Sequence, residues 1–325
     1  MNRRDTVLAL VALGAAPLAA EAQQAQKLPV VGFLHPGFPG VSSLTLTYLR
    51  EGLRDLGYIE GENIRIEARW AHGKPETLPG LAAELVRLKV DILVATGPSG
   101  VIAAKQATGT LPIVASDLET DPVASSLVAS LARPGGNITG LFLDLPGLTG
   151  KWLQLLREVV PGARRMAVLW DANTGEYQLR AITAAAKAVS VDLQVLEFRD
   201  SNGMESALSA GLKERPQALI QLGSPLINAA SKSTAGFSAT HRLPGISPFR
   251  AFPDNGGMMS YGPNLPILFR RLAVYVSKIL KGAKPGELPV EQPNHFELIV
   301  NVKAAKALGV TIAQSVLLRA DEVIQ

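Results

Sequence analysis

A short loop after an apolar strand carries the residue types that bind anions. The segment DILVATGPSG, residues 91–100, stops abruptly at Thr-Gly-Pro-Ser-Gly, and a helix-like run, VIAAKQA, follows directly. Backbone N–H groups at the start of a helix have no partner inside the helix and attract negative charge. We therefore expect Thr96, Gly97 and Ser99 to hold a ligand carboxylate through hydroxyl and N–H groups. The alternative is that these residues only form a turn and begin the helix.

Two carboxylates follow the next apolar run, in the segment PIVASDLETD. Asp117 and Asp121 suit a ligand ammonium group, because a carboxylate forms strong hydrogen bonds with a charged donor. Asp121 also precedes a proline, and this pair is typical of a helix start, here of a helix that would extend to Gly135. Ligand binding and helix capping both stay open for Asp121.

Other candidate residues also come just after predicted strands. Ligands of parallel sheets bind beyond the carboxyl ends of the strands, so these positions meet at one edge. The aromatic residues among them would provide a wall for an aromatic ligand. The further residues that we predict to contact the ligand are His35, Pro36, Gly37, Asn173, Ser224, Phe249, Asp254 and Tyr261.

The sequence motifs of common enzymes and metal sites are incomplete. The segment DLPGLTGKW, residues 144–152, lacks the first glycine and the final Ser/Thr of a phosphate loop. Carboxylates at 117, 119 and 121 are spaced as in a calcium loop, but Pro122 replaces the required glycine. There is no HExxH, no clustered Cys/His and no G-x-S-x-G. We expect no catalytic residue, no metal and no cofactor, and hence a binding protein rather than an enzyme.

Short apolar runs alternate with segments of helical period from residue 29 onward. This alternation indicates βαβ units and a mainly parallel sheet. The pattern restarts with a helix predicted over 149–160, so the predicted fold class is α/β, with two doubly wound lobes of mainly parallel sheets and a ligand cleft between them. One large open sheet is the alternative, because the length of 325 residues permits it.

The N-terminus has the three parts of a secretory signal peptide, predicted over residues 1–22. MNRRD is charged, TVLALVALGAAPLA is apolar, and Ala20-Glu21-Ala22 is a cleavage site. The chain has no cysteine, a net charge of +4 and 18% charged residues, with no basic run interleaved with aromatics. We therefore expect a soluble periplasmic monomer that does not bind nucleic acid.

Three stretches resemble the ABC transporter substrate-binding proteins of the tryptophan/tyrosine-binding type. They are LREGLRDLGYIEGENIRIEARWAHG at 49–73, PIVASDLETDPVASSLVASLARPGGNITG, and ILKGAKPGELPVEQPNHFELIVNVKAAKALGVTI at 279–312. The resemblance implies a type I periplasmic-binding-protein fold with three hinge crossovers. Its implied partners are a small-molecule ligand, such as an amino acid, and an ABC permease in the inner membrane with its ATPase.

The resemblance also implies the division of the chain. The N-terminal lobe would be 28–141 plus 263–285, and the C-terminal lobe 142–262 plus 286–325. Two other functions stay open, an exported ligand-sensing receptor module and an exported α/β enzyme.

The cleavage site gives a direct prediction. Because Ala20-Glu21-Ala22 follows the apolar run, the exported chain should begin at Gln23. Intact-mass measurement of periplasmic material tests this, and recovery of the uncut chain from the cytoplasm would contradict it.

Overall fold

The computed structural model describes residues 28–40, 44–143, 145–293 and 295–325. The predicted signal peptide lies outside these residues. The described residues form two separate sheets of five and seven strands with helices packed on them. The predicted α/β class with mainly parallel sheets is confirmed, and the single open sheet is wrong. None of the helices in the described ranges is long and apolar enough to cross a membrane.

The first sheet is entirely parallel, with the strand order β2-β1-β3-β4-β5. Every residue of β1, β3, β4 and β5 is buried, as expected for strands covered by helices on both faces. Only β2, at the edge, is partly exposed. The strands are β1 (Val30–His35), β2 (Arg65–Trp70), β3 (Ile92–Thr96), β4 (Ile113–Asp117) and β5 (Ile138–Phe142).

Four helices pack with this sheet, and together with it they are here named the first lobe. Three lie between its strands in sequence, and the fourth returns much later in the chain and packs on α1, β4 and β5. Helix α1 buries Leu46, Leu49 and Leu53. The helices are α1 (Leu44–Asp55), α2 (Leu78–Arg87), α3 (Gly97–Ala107) and α10 (Leu265–Leu280).

The second sheet has the order β12-β11-β10-β9-β8-β6-β7, and with its helices it is here named the second lobe. All neighbours are parallel except β10 and β11. The strands are β6 (Arg165–Asp171), β7 (Asp192–Phe198), β8 (Ala218–Gln221), β9 (Gly245–Ser247), β10 (Met259–Pro263), β11 (Phe296–Asn301) and β12 (Glu322–Ile324). The helices are α4 (Leu145–Val159), α5 (Tyr177–Ala188), α6 (Ser201–Gly211), α7 (Pro225–Ala229), α8 (Ser231–Thr240), α9 (Ala251–Asp254), α11 (Val302–Ala307) and α12 (Gln314–Leu317).

The chain passes between the lobes three times. It leaves the first lobe after β5 to form α4, which packs on α5, β8 and β9. It returns between β10 and α10. In the third passage Glu291 donates its N–H to Gly140 O at 3.0 Å, and Phe142 donates to Glu291 O at 3.0 Å. Residues up to 291 therefore run beside β5 before the chain enters β11.

Two predicted helices differ in the structure. The helix expected from Asp121 to Gly135 is absent, and turns occupy residues 122–126. Ser126 has a φ of 56°, a left-handed conformation that cannot continue a helix. The helix predicted to begin at Thr149 begins at Leu145 instead. Thr149 lies inside α4 and donates its hydroxyl hydrogen to Pro146 O at 2.8 Å.

Close contact between α1 and α10 depends on Gly52. A Cβ atom at this position would lie 2.6 Å from Arg270 O. Gly52→Ala should lower the free energy of unfolding by about 1–3 kcal/mol, because overpacking forces the helices apart. Gly80→Ala on α2 is the control, since a Cβ there meets nothing within 4 Å and should stabilise by about 0.5–1 kcal/mol. Denaturant unfolding measures both, and equal effects would contradict the packing account.

Candidate functional site: the cleft between the lobes

Three polar side chains stand in a row at the carboxyl edge of the first sheet. Thr96 on β3 and Ser116 on β4 are Cα partners in the strand register. His35 on β1 lies one position beyond the paired Leu34 and Ala95. All three are buried. The parallel register therefore brings together residues that are about 20 to 80 positions apart in sequence.

This row forms part of a cleft between the lobes. Its walls enclose about 420 Å³ of space between protein atoms, part of it open to solvent. Residues from both lobes and from α10 form the lining. They are His35, Leu44, Thr45, Thr96, Gly97, Ser116, Leu118, Glu119, Pro225, Asn228, Phe249, Leu265 and Phe269.

Three buried polar atoms of this lining have no hydrogen-bond partner. They are Thr96 Oγ1 and Ser116 Oγ on the first lobe and Asn228 Oδ1 on the second. A buried polar group without a partner costs about 1–3 kcal/mol, so native proteins rarely leave one unsatisfied. Three such atoms in one cleft indicate a place for a polar ligand.

Two buried carboxylates lie at the end of β4 and in the loop that follows it. Asp117 Oδ1 accepts hydrogen bonds from the backbone N–H groups of Glu119 at 3.1 Å and Thr120 at 3.2 Å, and Asp117 Oδ2 accepts one from the Thr120 hydroxyl. Glu119 reaches the cleft, and its Oε2 accepts from Leu118 N at 3.0 Å. Burial raises the pKa of both carboxyl groups, and the Asp117 charge raises that of Glu119 further. A positive charge in the cleft would relieve this repulsion.

His35 is held neutral in the wall of the cleft. Its Nδ1 accepts a hydrogen bond from Gly37 N at 2.9 Å, so the proton is on Nε2. The ring packs 5.0 Å from that of Trp70 between centroids. Burial lowers the pKa of His35 to about 3. His35 therefore supplies a neutral N–H donor at ordinary pH.

The lobes touch each other beside the cleft. Gly97, at the start of α3, has a φ of 67°, and a Cβ atom on it would lie 2.9 Å from Pro225 Cγ on the second lobe. A Cβ atom on Gly73 would lie 2.7 Å from Ser201 Oγ. The absence of a side chain at both glycines permits this close approach. The structure therefore shows the lobes closed on each other.

Four of the residues predicted from the sequence line the cleft. These are His35, Thr96, Gly97 and Phe249. Gly37 stands behind His35 as the donor to its ring, and a Cβ on Gly97 would lie 3.8 Å from Pro36 Cγ. Asp117 is fully buried behind Glu119, with its oxygens occupied by the loop backbone and Thr120.

Ser99 and Asn173 lie outside the cleft, on either side of a separate depression that also includes Arg199 and Asp200. Helical residues turn by about 100° each, so Ser99 faces away from the direction of Gly97. The Asn173 side chain donates to Asp171 Oδ1 at 2.9 Å and to Arg199 O at 2.6 Å.

Four further predicted residues have partners elsewhere. Asp121 Oδ1 accepts from Val123 N and Ala124 N in an exposed turn, so it neither reaches the cleft nor caps a helix. Asp254 pairs with Arg250 on the surface. Ser224 is buried and donates to Asp171 Oδ2 at 2.7 Å. Tyr261 packs its ring 6.2 Å from that of Phe296.

Sequence reasoning missed four polar residues of the cleft, which are Thr45, Ser116, Glu119 and Asn228. Ser116 had a usable signal, because it is a hydroxyl residue at the end of an apolar strand. Glu119 lies between Asp117 and Asp121, and this spacing suggested only an incomplete calcium loop. Asn228 gave no signal, since α7 has five residues and too little periodicity to be recognised.

The buried neutral His35 predicts a specific pH dependence. Below pH 6.5 the unfolded chain binds a proton at His35, whereas the folded chain does not bind one until about pH 3. The free energy of unfolding of the wild type therefore falls by about 1.4 kcal/mol for each pH unit over this range. His35→Gln lacks this loss. The stability difference between the two proteins should shrink as the pH falls from 7.5 to 4.5, and urea unfolding measures it. A difference independent of pH would show that His35 titrates normally.

Three solved structures overlay on this fold. A conserved domain protein from Vibrio cholerae matches with a TM-score of 0.84 and 26% identity, covering 91% of this chain and 100% of that one. An ABC domain in complex with L-Trp from Streptococcus pneumonia matches with a TM-score of 0.83 and 22% identity, over 91% and 100%. The ligand-free, open structure of a substrate-binding protein with adhesive properties from Clostridium difficile gives 0.61 and 23%, over 92% and 100%.

The sequence comparisons agree with these overlays. A tyrosine-binding protein of Clostridioides difficile (strain R20291) is 26% identical over 262 residues, which is 79% of this chain and 74% of that protein. The family model described as "ABC transporter substrate binding protein" matches residues 41–324. Since this match covers most of the chain and the fold agrees with it, the chain belongs to the ABC transporter substrate-binding protein family.

Proposed function

We propose that this chain binds an α-amino acid with an apolar, preferably aromatic, side chain in the cleft and presents it to an ABC importer. The observation that carries the proposal is the set of unpartnered buried atoms on Thr96, Ser116 and Asn228 beside the Glu119 carboxylate. These groups need hydrogen-bond partners and a positive charge, and a zwitterionic ligand supplies both.

The ligand's ammonium group is assigned to Glu119. This carboxylate lines the cleft, and Asp117 adds a second negative charge behind it. Among the described lining residues none is lysine or arginine, so no side-chain cation competes for the site. A buried carboxylate becomes favourable when a charged donor pairs with it. Glu119 thus takes the role that the sequence suggested for Asp121.

The ligand's carboxylate is assigned to the start of α3. The first N–H groups of this helix have no partner in the helix, and Thr96 Oγ1 is unpartnered beside them. The Nε2–H of His35 adds a neutral donor from the neighbouring strand. This retains the predicted anion role of Thr96 and Gly97 and replaces Ser99 with His35.

The ligand's side chain is assigned to the apolar part of the lining. Phe249 on the second lobe and Phe269 on α10 offer aromatic surfaces, and Leu118 and Leu265 complete the wall. The tyrosine-binding relative and the L-Trp complex support an aromatic amino acid as the first candidate. Asn228 Oδ1 accepts a hydrogen bond, so it suits a hydroxyl or N–H group on such a side chain.

Delivery to a membrane permease completes the proposal. Family membership supports a periplasmic protein that works with an inner-membrane permease and its ATPase. The closed lobes suit a captured ligand, and the overlay is better on the L-Trp complex than on the ligand-free open structure. Motion about the three passages would open the cleft for release.

Calorimetric titration with L-tyrosine and L-tryptophan tests the site. Thr96→Val and Glu119→Gln should each weaken binding by about 10-fold or more, because each removes a hydrogen bond to a charged group that is worth about 1.5–3 kcal/mol. Ser99→Ala and Glu76→Gln are matched controls, since both residues lie in the outer depression. Mass spectrometry of molecules released from the denatured protein identifies a retained ligand independently.

Two results would contradict the proposed function. One is a protein that retains no amino acid and binds neither L-tyrosine nor L-tryptophan. The other is normal binding by Thr96→Val and Glu119→Gln, which would place the ligand outside this cleft.

A further inference from the structure

A third buried carboxylate, Asp171, stands on the second lobe at the carboxyl end of β6. It is 3% exposed. The Ser224 hydroxyl donates to its Oδ2 at 2.7 Å, and Asn173 N donates to its Oδ1 at 3.0 Å. Ser224 directly precedes Pro225, the residue that closes against Gly97. Asp171 is therefore fixed just behind the part of the second lobe that meets the first.

Charged groups of both signs act near Asp171. Glu119 lines the same cleft as Pro225, behind which Asp171 is fixed, and the Asp171 charge raises the pKa of Glu119 in addition to burial and Asp117. Arg199 is the nearest compensating cation, but its side chain is 68% exposed and pairs with Glu197 at 2.7 Å. Water screens such a charge strongly. His35, the remaining titratable group of the cleft, is neutral.

We propose that Asp171 is a specificity-determining residue that acts without touching the ligand. Closure brings its carboxylate toward Glu119, so the lobes close readily only around a ligand that carries a positive charge. This inference rests on the proposed amino-acid function. The buried, unpartnered Thr96 and Ser116 hydroxyls mark the same cleft as a ligand site independently of these charges.

The selectivity arises from the free-energy cost of placing like charges opposite each other in a site with little water. Two carboxylates that approach each other in a low-dielectric site cannot both stay ionised without a cation between or beside them. An empty cleft, or a ligand that lacks an ammonium group, must take up a proton to close. The ammonium group of an amino acid removes that requirement, so Asp171 penalises ligands without it.

The test compares matched ligand pairs that differ in the amino group. These are L-tyrosine against 3-(4-hydroxyphenyl)propionate and L-tryptophan against indole-3-propionate. Asp171→Asn keeps an oxygen acceptor for Asn173 and turns an NH2 donor toward Ser224 Oγ, but removes the charge. It should narrow the preference for the amino acid several-fold, because the like charge that disfavours closure around the uncharged analogue is gone. Calorimetric titration measures both ligands of each pair.

Two control variants separate charge from structure. Asp192→Asn removes a carboxylate from the exposed start of β7, and its selectivity should equal that of the wild type. Ser224→Ala removes a hydrogen bond to Asp171 but leaves the charge, so it should keep most of the preference. Unchanged selectivity in Asp171→Asn, or an equal loss in Ser224→Ala, would overturn the proposal.

Small-angle scattering of the ligand-free protein decides the proposal if neither amino acid binds. Without the Asp171 charge, closing an empty cleft becomes less costly. Asp171→Asn should therefore have a smaller radius of gyration than the wild type at pH 7.5, whereas Asp192→Asn should not. If Asp171→Asn and the wild type have equal radii of gyration, the role of Asp171 is overturned. If the wild type fails to bind amino acids, that result alone contradicts only the proposed function.

Discussion

The burial of negative charge where the two lobes meet is the constraint on which the rest of the site depends. Asp117 and Glu119 are shielded from water because the carboxyl edges of two parallel sheets face each other across a narrow cleft. Two backbone N–H groups of the loop donate hydrogen bonds to Asp117, whereas Glu119 accepts one of this kind, from Leu118 N. Such a cleft is stable when closed only if something positive, a proton or a ligand cation, compensates the charge.

The two lobes contribute unequally to ligand recognition. The first lobe supplies the polar row of His35, Thr96 and Ser116 and the Glu119 carboxylate, whereas the second lobe contributes Pro225, Phe249 and Asn228 to the described lining. This division suits an order of events in which the first lobe binds the charged groups of the ligand and the second lobe then closes over them. Residues of α10 also line the cleft, so the segment that returns from the second lobe forms part of the site.

The third passage between the lobes is tied firmly to the first lobe. Arg271 on α10 forms a bidentate pair with Glu291, with both N···O distances at 2.7 Å, and the Tyr275 hydroxyl donates to Pro289 O at 2.7 Å. These contacts join α10 to the segment beside β5. The third passage is therefore fixed to the first lobe as far as Glu291.

The sequence by itself determined the α/β class, the order of most strands and helices, and part of the site. Apolar runs ending in Thr96 and Asp117 gave these results because strand length and helical period are local properties. The sequence could not show that Ser99 lies outside the cleft or that Glu119 and Asn228 lie within it. Those positions depend on the rotation of α3, on the path of the loop after β4 and on the approach of Pro225 to Gly97. Only the tertiary structure decided them, because each is set by contacts between segments more than 100 residues apart or by a turn whose geometry leaves no periodic signal.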